Sequence, residues 1–176
     1  MEITSDLIRK SMRWAIEKHH SVNHMYDKNP YDVHLWSVFY TANIFIHYIP
    51  EEKKDVVIAA CWLHDTIEDC RVTYNDIKQE FGEEIAEIVY ALTNEKGRTR
   101  KDRANSRYYE GIRNCPFAGF VKICDRIANF KYSIENGSSM VLKYQQEADV
   151  FHAALYDTGT YLAMWEYMRS LIYTTS

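Results

Sequence analysis

Apolar residues recur along this chain at intervals of three and four, the spacing that gathers them on one face of a helix. Leu7, Met12 and Ile16, joined by Trp14, predict a first helix from an N-cap at Thr4 or Ser5 to about His20. Asp27-Lys28-Asn29-Pro30 is turn chemistry. A second helix is expected from about Tyr31 to Tyr48, where Pro50 stops it. Glu51 and Glu52 suit the first turn of a third helix, which carries the run Val56-Val57-Ile58-Ala59-Ala60-Cys61-Trp62-Leu63. Thr73, with Asp76 three residues on, caps a short helix through Phe81, and Gly82 separates it from Glu83 to Leu92. There Ile85, Ile88, Val89 and Leu92 keep helical spacing, as Val121, Ile123, Ile127 and Phe130 do after Pro116. Beyond the loop Gly137-Ser138-Ser139, the residues Leu155, Leu162, Trp165, Met168 and Ile172 predict one or two core-packing helices. The expected fold class is all-α.

Composition supports that reading. Only 6 Gly and 3 Pro interrupt 176 residues, which favours long helices over a turn-rich β fold. With 47% hydrophobic and 26% charged residues, wholesale disorder is excluded, and residues 1–176 read as a single domain. No apolar run reaches the ~18 residues that span a membrane. The formal net charge of −4 argues against a general nucleic-acid coat. The polar start Met1-Glu2-Ile3-Thr4-Ser5-Asp6 is no signal peptide, and Cys61, Cys70, Cys115 and Cys124 show no paired spacing. Reduced thiols in a cytoplasmic protein are the expectation. The sequence carries no signal for an oligomeric state.

The chemistry gathers at His64-Asp65-Thr66-Ile67-Glu68-Asp69, one imidazole and three carboxylates at the end of a buried run. A divalent metal takes such a mixed nitrogen and oxygen shell, and hydrolysis needs a further acid or base beside it. Adjacent side chains on a regular helix diverge by ~100°, so His64 and Asp65 can meet one metal only where a helix ends. The other ligands must then come from elsewhere. His34 and Asp125 are the candidates, both ionisable groups inside apolar helical stretches. Two His and two Asp suit Mn²⁺, Fe²⁺, Co²⁺ or Zn²⁺. Each residue alone has a plainer reading: His34 as a hydrogen-bonded core residue, Asp125-Arg126 as half of a salt bridge, Glu68 and Asp69 as a solvated face. Their order along the chain is what favours a site.

Several elements together carry a family resemblance. Leu63-His64-Asp65-Thr66-Ile67-Glu68-Asp69, Thr73-Tyr74-Asn75-Asp76-Ile77, Phe81-Gly82 and Ala91-Leu92-Thr93 resemble the hydrolase domain of the RelA/SpoT alarmone enzymes. They are especially similar to the small, hydrolase-only relatives within the HD phosphohydrolase superfamily. Pro30-Tyr31-Asp32-Val33-His34 resembles that family's Pro-Tyr-x-x-His element. Lys122-Ile123-Cys124-Asp125-Arg126-Ile127-Ala128-Asn129 is similar to its Lys-x-x-Asp-Arg-x-x-Asn element. The resemblance extends from about Lys10 to Val150. It implies one divalent metal, usually manganese, held by His34, His64, Asp65 and Asp125. Glu68 and Asp69 match the pair that positions and activates the attacking water. The implied substrate is a guanosine tetra- or pentaphosphate that loses its 3′-pyrophosphate, and Asn129 and Tyr144 match residues of the nucleotide pocket.

One departure bears on the substrate. The family usually carries Arg-Lys-Asp-Gly ahead of the Pro-Tyr element, where this chain has Met25-Tyr26-Asp27-Lys28-Asn29. Met25 and Tyr26 can stack on a base but cannot pair with a phosphate as a cation does. Cations follow later, at Lys96, Arg98, Arg100, Lys101, Arg103 and Arg107, and Lys96 and Arg98 are candidates to hold the pyrophosphate. A solvated basic helix is the alternative for that stretch. Three functions therefore stand open: a (p)ppGpp hydrolase, an HD phosphatase for another nucleotide or a phosphorylated dinucleotide such as NADPH, and a catalytically silent nucleotide sensor.

Overall fold

The computed structural model describes residues 5–94, 97–156 and 159–174, and among them the architecture is helical apart from one two-residue strand pair. The first helix, α1, spans Asp6–Ser21. The expected turn follows as a short antiparallel pair, β1 (Met25–Tyr26) against β2 (Asn29–Pro30), with Asp27 at φ 53°. Next come α2 (Asp32–Phe45), α3 (Lys54–Leu63), the one-turn α4 (Thr66–Asp69), α5 (Tyr74–Phe81) and α6 (Glu83–Leu92). The chain continues with α7 (Arg100–Arg103), α8 (Ser106–Asn114), α9 (Ala118–Glu135), α10 (Met140–Leu155) and α11 (Leu162–Thr174).

Where the observed bounds differ from the expected ones, the backbone explains it. α2 stops at Phe45 and tightens into a 3₁₀ turn, Ile46–Tyr48, because Ile49 precedes Pro50 and is driven to φ −102°, ψ 131°. A second 3₁₀ turn, Glu51–Lys53, then leads into α3. α9 begins two residues after Pro116, since Phe117 takes a left-handed φ of 65° before the helix can start. The Thr73 capping box is present: Thr73 Oγ accepts from the Asp76 amide, and Asp76 accepts from the Thr73 amide. Gly82, at φ 90°, makes the break between α5 and α6.

α2 packs against α9 and α3, α1 against α3, and α10 and α11 against α9. Trp62, Phe120, Phe151, Leu35, Leu63 and Ile127 are among the large side chains wholly buried between them. This places the C-terminal end of α3, the first turn of α2 and the middle of α9 side by side. No helix of the described residues is long and apolar enough to cross a membrane.

Candidate active site

The apolar run of α3 ends at Leu63, and His64 and Asp65 occupy the turn before α4. There the adjacent pair converges: His64 Nε2 lies 3.0 Å from Asp65 Oδ2. His34, from the first turn of α2, brings Nε2 to 3.3 Å from His64 Nε2 and 3.6 Å from Asp65 Oδ2. Asp125 of α9 sets Oδ1 at 3.3 Å from His34 Nε2 and 3.8 Å from His64 Nε2. Donor atoms around one cation at bond lengths of ~2.1 Å are separated by roughly 3.0–3.4 Å, so these four fit a small divalent ion. His34, His64 and Asp125 have ligand atoms mutually close enough to share one ion, and all three are buried. Asp65 stands against both imidazoles and also accepts a hydrogen bond from the Tyr31 hydroxyl.

The surroundings orient these donors. His64 Nδ1 donates to the Cys61 carbonyl at 2.8 Å, which leaves Nε2 to face the cluster. His34 Nδ1 is buried without a hydrogen-bond partner among the described residues, so its ring is held by stacking, on Tyr26 at 4.9 Å and against Tyr31 at 5.2 Å. Without a metal, burial opposes a charge on His64, but the Asp65 and Asp125 carboxylates outweigh it and raise its pKa to about 9. Burial likewise opposes charge on Asp125, while Lys122, His34 and His64 hold its carboxyl well below the usual range. This is a dense, polar knot in a largely apolar interior.

The knot forms one end of a cleft of about 520 Å³. Glu68, Asp69, Lys122, Arg126 and Tyr144 are among the side chains that line it. Glu68 accepts from the Asn94 side-chain amide at 2.9 Å and from its backbone N–H at 3.3 Å. Burial, together with the nearby Asp65 and Glu68 charges, pushes the Asp69 pKa up to about 7. Lys122 Nζ donates to Asp125 Oδ2 at 2.9 Å. Arg126 pairs with Glu147 at 2.8 Å and stacks on the Tyr144 ring at 5.0 Å.

The structure thus brings His34, His64, Asp65 and Asp125 to one point, with Glu68, Asp69, Asn129 and Tyr144 lining the adjoining cleft. It does not bring Met25 or Arg98 there: both are exposed and outside the lining, Met25 because it faces away on β1 and Arg98 because it precedes α7. Tyr26 is also outside the lining, bonded instead to Asn129. Lys96 lies outside the described residues. Of the basic stretch, Arg103 reaches the cleft. Lys122 and Arg126 also line the cleft: the motif alone assigned Lys122 no role, and Arg126 pairs with Glu147 in place of the adjacent Asp125. The signal was available, because Lys122 stands one helical turn before Asp125 and shares its face.

Residues 12–155 match the model of the HD domain, and the chain belongs to the HD-domain family. Among individual proteins, it is 30% identical over 127 residues to guanosine-3′,5′-bis(diphosphate) 3′-pyrophosphohydrolase MESH1 of Danio rerio, across 71% of this chain and 68% of that protein. It is 28% identical to MESH1 of Xenopus tropicalis, across 74% of this chain and 72% of that one. A guanosine-3′,5′-bis(diphosphate) 3′-pyrophosphohydrolase of Aquifex aeolicus is 28% identical over 70% of this chain, which spans only 17% of that longer protein. The solved structure of a metazoan SpoT orthologue that hydrolyses ppGpp superposes with a TM-score of 0.77 at 19% identity, covering 100% of this chain and 99% of that one. That likeness shows the shared fold.

Proposed function

We propose that this chain is a divalent-metal-dependent nucleotide phosphohydrolase that removes the 3′-pyrophosphate from (p)ppGpp, with Mn²⁺ as the metal. The observation that carries the reading is the convergence of His34, His64, Asp65 and Asp125, from three separate parts of the fold, at the end of a nucleotide-sized cleft. The substrate follows from the named activity of the Danio rerio, Xenopus tropicalis and Aquifex aeolicus relatives. Four free cysteines suit a reducing, cytoplasmic setting.

A divalent cation held by His34, His64, Asp65 and Asp125 would supply Lewis acidity and lower the pKa of water. Glu68, fixed by Asn94, is placed to orient the attacking water and accept its proton. Asp69, whose pKa burial and like charges push up to about 7, stands beside it as a carboxylate that can take up a proton and pass it on. Attack at the phosphorus on O3′ breaks the P–O3′ bond, pyrophosphate leaves, and O3′ takes up a proton. Lys122, paired with Asp125, and Arg126, paired with Glu147, bring positive charge to the cleft lining, and Tyr144 and Asn129 border the same space. A second reading, turnover of another phosphorylated nucleotide, is favoured by one observation: no cation from the Met25–Pro30 hairpin lines the cleft.

The test is release of pyrophosphate and phosphate from a panel of ppGpp, pppGpp, adenine analogues, NADPH and ordinary nucleoside mono- and triphosphates, with Mn²⁺ and with EDTA. Manganese-dependent pyrophosphate release from ppGpp supports the first reading. Turnover of another compound with ppGpp inert replaces it with the second.

A further inference from the structure

The hairpin of β1 and β2 occupies the place where the resemblance expects a cationic, substrate-gripping arm, but its contacts point inward. Tyr26 Oη donates to Asn129 Oδ1 at 2.7 Å, and Asn29 Nδ2 donates to Tyr132 Oη at 3.1 Å, one turn further along α9. The Tyr26 and Tyr132 rings touch at 4.5 Å.

Asn129 is committed at both ends. Its carbonyl oxygen accepts from Tyr26, while Nδ2 donates to the Asp125 backbone carbonyl at 3.0 Å and to Asp125 Oδ1. An amide has one acceptor end and one donor end, so a hydroxyl fixed at the oxygen turns the NH₂ toward Asp125. The ring of the same tyrosine stacks on His34 at 4.9 Å with an interplanar angle of 27°. His34 needs that support, because its Nδ1 has no hydrogen-bond partner among the described residues to orient it. A metal-bound imidazole ordinarily gains its orientation from a partner at the second nitrogen.

We propose that Tyr26 is a positioning residue for the metal site: its ring sets His34 and its hydroxyl, through Asn129, sets Asp125. The inference rests on the metal reading above. It gives the departure from Arg-Lys a physical role, since the hairpin becomes a brace between α2 and α9 in place of a phosphate-binding arm. An aromatic ring with a donor tip can do this, whereas a lysine at the same position would bring a charge against His34 and no stacking surface.

The test is titration of nucleotide-free protein with Mn²⁺ by calorimetry, for wild type, Tyr26→Phe, Asn129→Ala and the double variant, together with kcat and KM on the panel. Phenylalanine keeps the ring and the packing, and far-UV circular dichroism checks that the helices remain. Tyr26→Phe is expected to weaken Mn²⁺ binding by ~10-fold or more. The double variant should bind no worse than Asn129→Ala alone, because the hydroxyl acts through that amide. Unchanged Mn²⁺ affinity in Tyr26→Phe with a raised KM would overturn the brace and make Tyr26 a substrate residue. Additive losses in the double variant would overturn the path through Asn129. If the wild type itself took up no Mn²⁺, the metal reading would fall together with the brace, an outcome distinct from loss of the brace alone.

Discussion

Glu68 and Asp69 are neighbours in sequence but differ in circumstance. Glu68 is pinned by two donors of Asn94, while Asp69 lies among burial and like charges that raise its pKa to about 7. Glu68→Gln keeps the shape and the oxygen that Asn94 needs but removes the proton acceptor. Turnover is expected to fall by ~10²-fold or more with the Mn²⁺ stoichiometry unchanged, measured by product release and metal analysis side by side. Full turnover in that variant removes Glu68 from the chemistry. For Asp69, turnover should fall as pH drops, since a carboxyl must be ionised to accept a proton. A bound cation favours the carboxylate, so the limb belongs at or below pH 7 and should vanish from the residual rate of Asp69→Asn. Most of these residues were legible because they stand within two turns of one another in sequence. The inward set of Tyr26 was not, because it depends on Asn129, more than a hundred positions away and on another helix.

At the level of elements, apolar spacing foretold α1, α6 and α9, because those faces have to be buried whatever they pack against, and the Thr73 cap foretold α5. It could not foretell the ends of α2 and the start of α9, which local backbone preferences at Ile49 and Phe117 decide. Nor could it divide the C-terminal stretch into α10 and α11, since both pack on α9 with similar apolar spacing. The four metal-facing donors come from α2, the turn after α3 and α9, so the site and the packing of these elements are linked. His64→Ala or Asp125→Ala should lower metal content and erase the rise in melting temperature that Mn²⁺ gives the wild type. Ile127→Val, a wholly buried change on α9, should cost about 1 kcal/mol and leave metal content alone. Equal metal content in the two ligand variants and the wild type would mean the ligands are misassigned.

For the molecule as a whole, the cluster makes stability depend on pH in opposite senses with and without metal. In the metal-free protein the His64 pKa is raised from 6.5 to about 9, because Asp65 and Asp125 overcome the cost of burying its charge. Folding therefore binds that proton more tightly than the unfolded chain does. The resulting stabilisation is complete below pH ~6.5 and is lost as pH rises through about 9. Asp69 acts in the same sense at lower pH, its contribution fading between its ordinary value of 3.8 and about 7. A bound cation needs His64 neutral, so metal uptake must expel the proton at pH 7 and becomes more favourable as pH rises. Metal-free protein should then melt at steadily lower temperature between pH 6.5 and 9, while the further rise on adding Mn²⁺ grows over the same interval. Calorimetry in buffers of different ionisation heats should show about one proton released per Mn²⁺ near pH 7. A pH-independent Mn²⁺ effect with no proton release would mean that His64 is neutral before the metal arrives, and that the carboxylates beside it do not hold a charged imidazole in the core.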